Sequence, residues 1–204
     1  MSRFTDFDFG ITWLAAMFHR DWPNEGGEID VLRAFLWDGQ DPAAVQALRH
    51  DALRTLEGLT AGQIETLWLA SIQGKFDFTG NLPSGREWIR VILEECKQWL
   101  QDRSDPKLGE VDSDSGFALG SEIKETLADF SHSSLPPHTA EALCDCAHNC
   151  SPDLALRFLL RIISSKGMSI SNAQYATLLR LGDDLDYGEF LVSEVEDLVD
   201  PTLD

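Results

Sequence analysis

Apolar residues along this chain recur three and four positions apart almost throughout. That is the spacing of one helix face, and no stretch alternates long enough to predict a pair of strands. Val31, Leu32, Phe35 and Leu36 share one stripe. Asp41-Pro42 reads as an N-cap and first-turn pair for a helix carrying Val45, Leu48, Ala52 and Leu56. Thr60 to Gln63 has capping-box spacing, and so do Ser84 to Glu87 and Ser171 to Gln174. The helix after Ser84 buries Trp88, Ile92, Cys96 and Trp99, whereas residues 74–83, broken by Gly74, Gly80 and Pro83, read as a loop. Further on, Ile123, Leu127 and Phe130 mark a helix that ends before Pro136-Pro137. Leu143, Cys146, Ala147 and Cys150 mark the next one. Pro152-Asp153 opens a strongly apolar helix with Leu156, Leu159, Leu160 and Ile163, closed by Gly167. Tyr175, Leu178 and Leu181 follow Ser171, and a last helix is predicted from Asp186 through Leu198. The fold class is all-α, a multi-helix bundle.

Residues 103–120 have the Ser, Asp and Gly composition of a linker, and all six tryptophans precede them. This predicts two small helical subdomains, 1–103 and 120–204, joined by an acidic linker at 104–119. At 204 residues the chain can bury a core without metal or disulfide. Its four cysteines (96, 144, 146 and 150) suit a reducing compartment better than a disulfide framework. No run approaches the ~18 apolar residues of a membrane span. The N-terminal MSRFTDFDFG lacks the apolar core of a secretory signal, so a cytoplasmic protein is expected.

Charge sharpens the picture. The net charge is −19; residues 1–104 carry 16 acidic and 10 basic side chains, residues 105–204 carry 19 and 6. Such a surface repels nucleic acid and anionic membranes and attracts cationic proteins. From Asp183 to the end there are nine acidic residues and no basic one. Asp186 and Glu189 suit the start of the last helix, but Glu194, Glu196, Asp197 and Asp200 fall late in it, where the dipole disfavours them. Solvation or a basic partner would explain them; the basic-partner reading takes in Asp183, Asp184, Asp186, Glu189, Glu194, Glu196 and Asp197. A second acidic rim, Asp21, Glu25, Glu28 and Asp30, frames the segment Phe18-His19-Arg20-Asp21-Trp22. Trp37, and Phe76 and Phe78 in the Gly-bounded loop, are the candidate aromatic anchors.

Catalytic patterns are sparse. The chain has no P-loop, GxGxxG, HExxH or GxSxG. His19 and Asp21, two apart, point away from each other on a helix, and His50-Asp51 has no nucleophile beside it. Asp112 to Gly116 resembles the start of a calcium loop, but Ile123 stands where the bidentate Glu belongs. Within Cys144 to Cys150, helical geometry puts Cys146 and Cys150 on the core stripe and Cys144 with His148 on another face. A metal site there would need His132 or His138 to complete it; the favoured reading has no metal, cofactor or catalytic residue.

From Trp13 to Thr60, with FHRDW, Glu25 and Glu28, VLRAF and the Pro-led helix, the chain resembles the small immunity proteins of contact-dependent growth inhibition systems. A shorter segment, Leu154 to Leu181, is similar to maf-type immunity proteins of polymorphic toxin cassettes. These resemblances imply a non-enzymatic cytoplasmic antitoxin that binds and blocks the C-terminal domain of a cognate, basic toxin such as a nuclease. They also imply that FHRDW sets a corner between two helices, with Phe18 and Trp22 packed. Two other readings remain from the residues: a helical adaptor for an unrelated protein, and a metal-dependent helical enzyme using Cys144 and His148.

Overall fold

The computed structural model describes residues 7–24, 26–80, 82–101, 116–133 and 135–203, with the backbone alone at 132 and 133. Ten α-helices form among them. Before residue 102 stand α1 (Gly10–Ala16), α2 (Glu28–Phe35), α3 (Pro42–Gly58), α4 (Ala61–Ser71) and α5 (Gly85–Gln101). After residue 115 come α6 (Gly120–Ser133), α7 (Pro137–Asn149), α8 (Pro152–Lys166), α9 (Asn172–Asp184) and α10 (Glu189–Ser193). An all-α multi-helix bundle is therefore what this sequence builds. None of the described helices is long and apolar enough to cross a membrane.

Helix starts follow local chemistry. Asp41 accepts a hydrogen bond from the Ala43 amide at 2.9 Å, with Pro42 in the first turn of α3. Thr60 and Gln63 satisfy each other's backbone amides at the start of α4, as Ser171 and Gln174 do for α9. Ser151 accepts from Leu154 N at 3.0 Å and opens α8. Each such cap is worth about 1 kcal/mol. Gly167 ends α8 at φ +58°, and the Met168 amide reaches back to the Ile163 carbonyl at 3.0 Å.

The segments before residue 102 and after residue 115 share one core. One hydrophobic cluster takes residues from both sides of the tryptophan boundary, from Phe9 to Val195. At its centre α8 is buried on every side from Pro152 to Ile163, and it contacts α1, α4, α6 and α7. Helix α4 reaches across to α7 as well, while α3 packs on α1 and α5. Gln63, already part of a cap, also donates to Asp145 on α7. Trp22, Trp68 and Trp88 gather around Phe18 in one aromatic region of that core. Of the expected linker 104–119, residues 104–115, including the calcium-like Asp112–Ser115, lie outside the described residues. Residues 116–119 form a turn and a short 3₁₀ helix that leads into α6.

The last predicted helix is corrected. Helix α10 holds only five residues and ends at Ser193; Glu196–Leu198 is a separate 3₁₀ turn. Beyond that turn a tertiary contact holds the chain. The Ile170 amide donates to the Leu198 carbonyl at 3.0 Å and Asp200 N donates to the Ile170 carbonyl at 2.8 Å. This parallel bridge between Ile170 and Val199 needs extended backbone, which a continuing helix could not supply.

Candidate protein-binding surface

Helices α9 and α10 and the turns after them place the acidic C-terminal residues. Two of these acids are already committed inside the molecule. Asp184 pairs with Arg180 at 3.0 Å, and Arg180 also holds Glu122. Glu194 accepts from Arg161 and from the Ser164 hydroxyl, both at 2.8 Å. Arg161 is buried, so Glu194 neutralises an interior cation and does not need a partner to explain it. Asp186 sits in the left-handed region at φ 55° and forms the turn between α9 and α10. That leaves Asp183, Glu189, Glu196 and Asp197, all exposed and without an ion pair to any described cation. No basic residue follows Arg180 in the sequence.

At the FHRDW corner, Phe18 and Trp22 are buried. Phe18 lies edge-on to Trp22, Trp68 and Trp88, with centroids 5.2 to 5.8 Å apart. Arg20 and Asp21 face out, and Glu28 is half-buried at the start of α2. Glu25 lies outside the described residues. Between His19 and Asp21 the contact is local, with Asp21 N donating to His19 Nδ1 at 3.2 Å.

The three aromatic anchor candidates separate. Trp37 is 59% exposed, its ring lying over Gly39. Phe76 does not present its ring to solvent: it is buried among Phe18, Trp68 and Trp88. Phe78 is half-buried, its ring tilted by 46° against that of Phe76 with centroids 4.8 Å apart. A glycine-bounded loop can still fold inward when its aromatic residues fill a core, and here that burial wins.

Thiols and imidazoles divide as the helical spacing requires. Cys146 and Cys150 are buried in α7's core face, while Cys144 and His148 are exposed. Cys146 is held as a thiol by its hydrogen bond to Cys150 and by burial. Among the described residues no three His, Cys, Asp or Glu side chains group as metal ligands would. An open cleft of about 600 Å³ lies between α6 and α9, lined by Glu122, Glu125, Asp129, Gln174 and Arg180, with Phe130 and Leu203 as apolar walls.

Two features escaped the sequence. One is a buried ionic network around Arg157. Its Nη1 and Nη2 donate to Asp51 at 2.8 and 2.9 Å, Nε and Nη2 donate to Asp153 at 3.2 and 3.0 Å, and Nη1 donates to the Phe9 carbonyl at 2.9 Å. Tyr187 donates to Asp153 at 2.8 Å, and the guanidinium lies 4.1 Å from the Phe9 ring centre. Burial works against the charge, but Asp51 and Asp153 hold the guanidinium protonated well above its ordinary range. The signal was charged residues, Asp153, Arg157 and Arg161, inside a strongly apolar helix. The other feature is a stacked pair, Phe7 and Phe190, with centroids 5.1 Å apart and both rings exposed. Nothing local in sequence links residues that far apart. Comparison of the chain with protein-family models, with curated proteins and with solved structures finds no match.

Proposed function

We propose that this chain is an immunity protein: a non-enzymatic binder that blocks a basic toxin domain in the reducing cytoplasm. One observation carries the reading. Asp183, Glu189, Glu196 and Asp197 stand exposed and unmatched on a chain of net charge −19, after the last basic residue. Such a surface speeds encounter with a cationic cleft, above all the phosphate-binding cleft of a nuclease, whose polyanionic substrate it mimics. Four free thiols support the reducing compartment. Exposed Trp37 is the aromatic anchor kept from the sequence reading, since tight binding needs a buried ring as well as charge.

The test is calorimetric binding to the C-terminal domain of the large protein encoded beside this one, at about 0.05 and about 0.3 M salt. Nanomolar binding that weakens with salt, and weakens again in a D183K/E189K/E196K/D197K variant, supports the reading. Absence of binding at both salts removes it. Salt-indifferent binding keeps the blocking role and moves the interface to Trp37. E194K is excluded from the charge series because Glu194 serves Arg161.

A further inference from the structure

Phe7 and Phe190 are 60% and 46% exposed, yet their rings stack at 5.1 Å with planes 21° apart. The pair joins the segment before α1 to α10 and rests on a rigid base. Phe9, two residues after Phe7, meets Tyr187, three before Phe190, edge-on at 6.1 Å. Beneath them, Phe9 lies under the Arg157 guanidinium and Tyr187 is hydrogen-bonded to Asp153. The surroundings are acidic. Glu189 precedes Phe190 in α10, and Glu194 lies one helical turn beyond it. Asp183 and Asp186 lie just before α10 in sequence.

The occupant follows from charge. A second copy of this chain would bring another −19 against the same acidic patch, and an anionic lipid surface would be repelled in the same way. A cationic protein segment gains on both counts, covering the rings and neutralising the rim. We infer that the Phe7–Phe190 pair is the apolar centre of the acidic surface and docks a cationic segment of a partner protein, an apolar side chain over the rings and Lys or Arg against Glu189. This deepens the binding role proposed above and rests on it for the partner's identity alone. The pair fits the anatomy of a binding hot spot, an exposed aromatic anchor ringed by polar groups.

The probe is a synthetic amphipathic helical peptide of Lys and Leu, titrated by NMR into the full chain and into F7S, F190S and W37S variants. Circular dichroism melts first establish that each variant is folded as the wild type is. Expected is saturable, salt-sensitive binding, weakened about 10-fold or more by F7S and F190S and about 2-fold or less by W37S. Shift changes should centre on α10 and the residues before α1. Non-saturable binding, or serine variants that bind like wild type, overturns the docking surface. The toxin-domain experiment separates the two claims. Peptide binding lost in F7S and F190S, with no binding of the domain, leaves this surface standing and removes the inhibitor role. Domain binding alongside peptide binding indifferent to both serines does the reverse.

Discussion

Arg157 and Asp51, 106 residues apart in sequence, meet in a two-pronged ion pair at 2.8 and 2.9 Å inside the core. The pair ties α8 to α3. With Asp153 and the Phe9 carbonyl it gives every N–H of the guanidinium an acceptor. Removing one partner of such a pair leaves a charge buried without compensation. D51A should lower stability by about 3–5 kcal/mol. The D51L/D153L/R157M triple, which removes all three charges together, should recover most of that loss. Urea unfolding measures both; a D51A loss below about 1 kcal/mol would mean water already reaches the site.

Gly10 lies against the same pair. It holds φ +67°, and a Cβ there would stand 1.9 Å from Asp51 Oδ2. G10A should cost about 1–2 kcal/mol in backbone strain alone, and more as Asp51 is pushed off Arg157. Gly62 gives the contrast: it lies inside α4 with nothing within 4 Å of its added Cβ. G62A should stabilise by about 0.5–1 kcal/mol. Parallel thermal melts decide; equal shifts in both would break the link between Gly10 and the ion pair.

Asp8 supplies a pH dependence. It accepts from Phe9 N at 2.8 Å and from the Thr12 hydroxyl at 2.7 Å, and burial pushes its pKa up to about 6 from 3.8. A carboxyl whose folded pKa is raised contributes stability that is complete below about pH 4 and lost as pH rises through about 6. D8N cannot ionise, so its stability relative to wild type should rise between pH 4 and pH 7 by on the order of 1–3 kcal/mol. Denaturant melts across that window test it, and a difference flat with pH would contradict the raised value.

Phe76 and Trp37 should behave oppositely. F76A empties a buried ring site among Phe18, Trp68 and Trp88 and should cost about 3–5 kcal/mol. W37A removes a mostly exposed ring and should cost below about 1 kcal/mol. Matching losses would place Trp37 in the core.

Much of the fold is local and could be read as such. The caps at Asp41, Thr60, Ser151 and Ser171 depend on residues two or three apart, and each forms the bond its spacing implies. What stayed hidden depends on distant partners. A helix buried on all sides, as α8 is, has no polar face to announce it, so Arg157 in its middle could not be matched with Asp51. Past α10 the backbone of Leu198 and Asp200 pairs with Ile170, a partner distant in sequence. The candidate surface was legible as charge but not as geometry. Composition cannot tell that Glu194 answers Arg161 while Glu196 does not, or that the Phe76 loop turns inward.

The short parallel bridge at Ile170 and Val199 has a consequence for recognition. A run of acids on backbone outside regular helices would ordinarily sample many arrangements, and binding would have to freeze one of them. Here the backbone of Ile170 clamps the segment on both sides of Val199, immediately after Glu196 and Asp197. The backbone that carries those carboxylates is thereby anchored to the bundle, so binding has side-chain rotamers to order but little backbone freedom to remove. A partner meets a fixed pattern of charge, which favours selectivity for one complementary shape over general attraction to anything cationic.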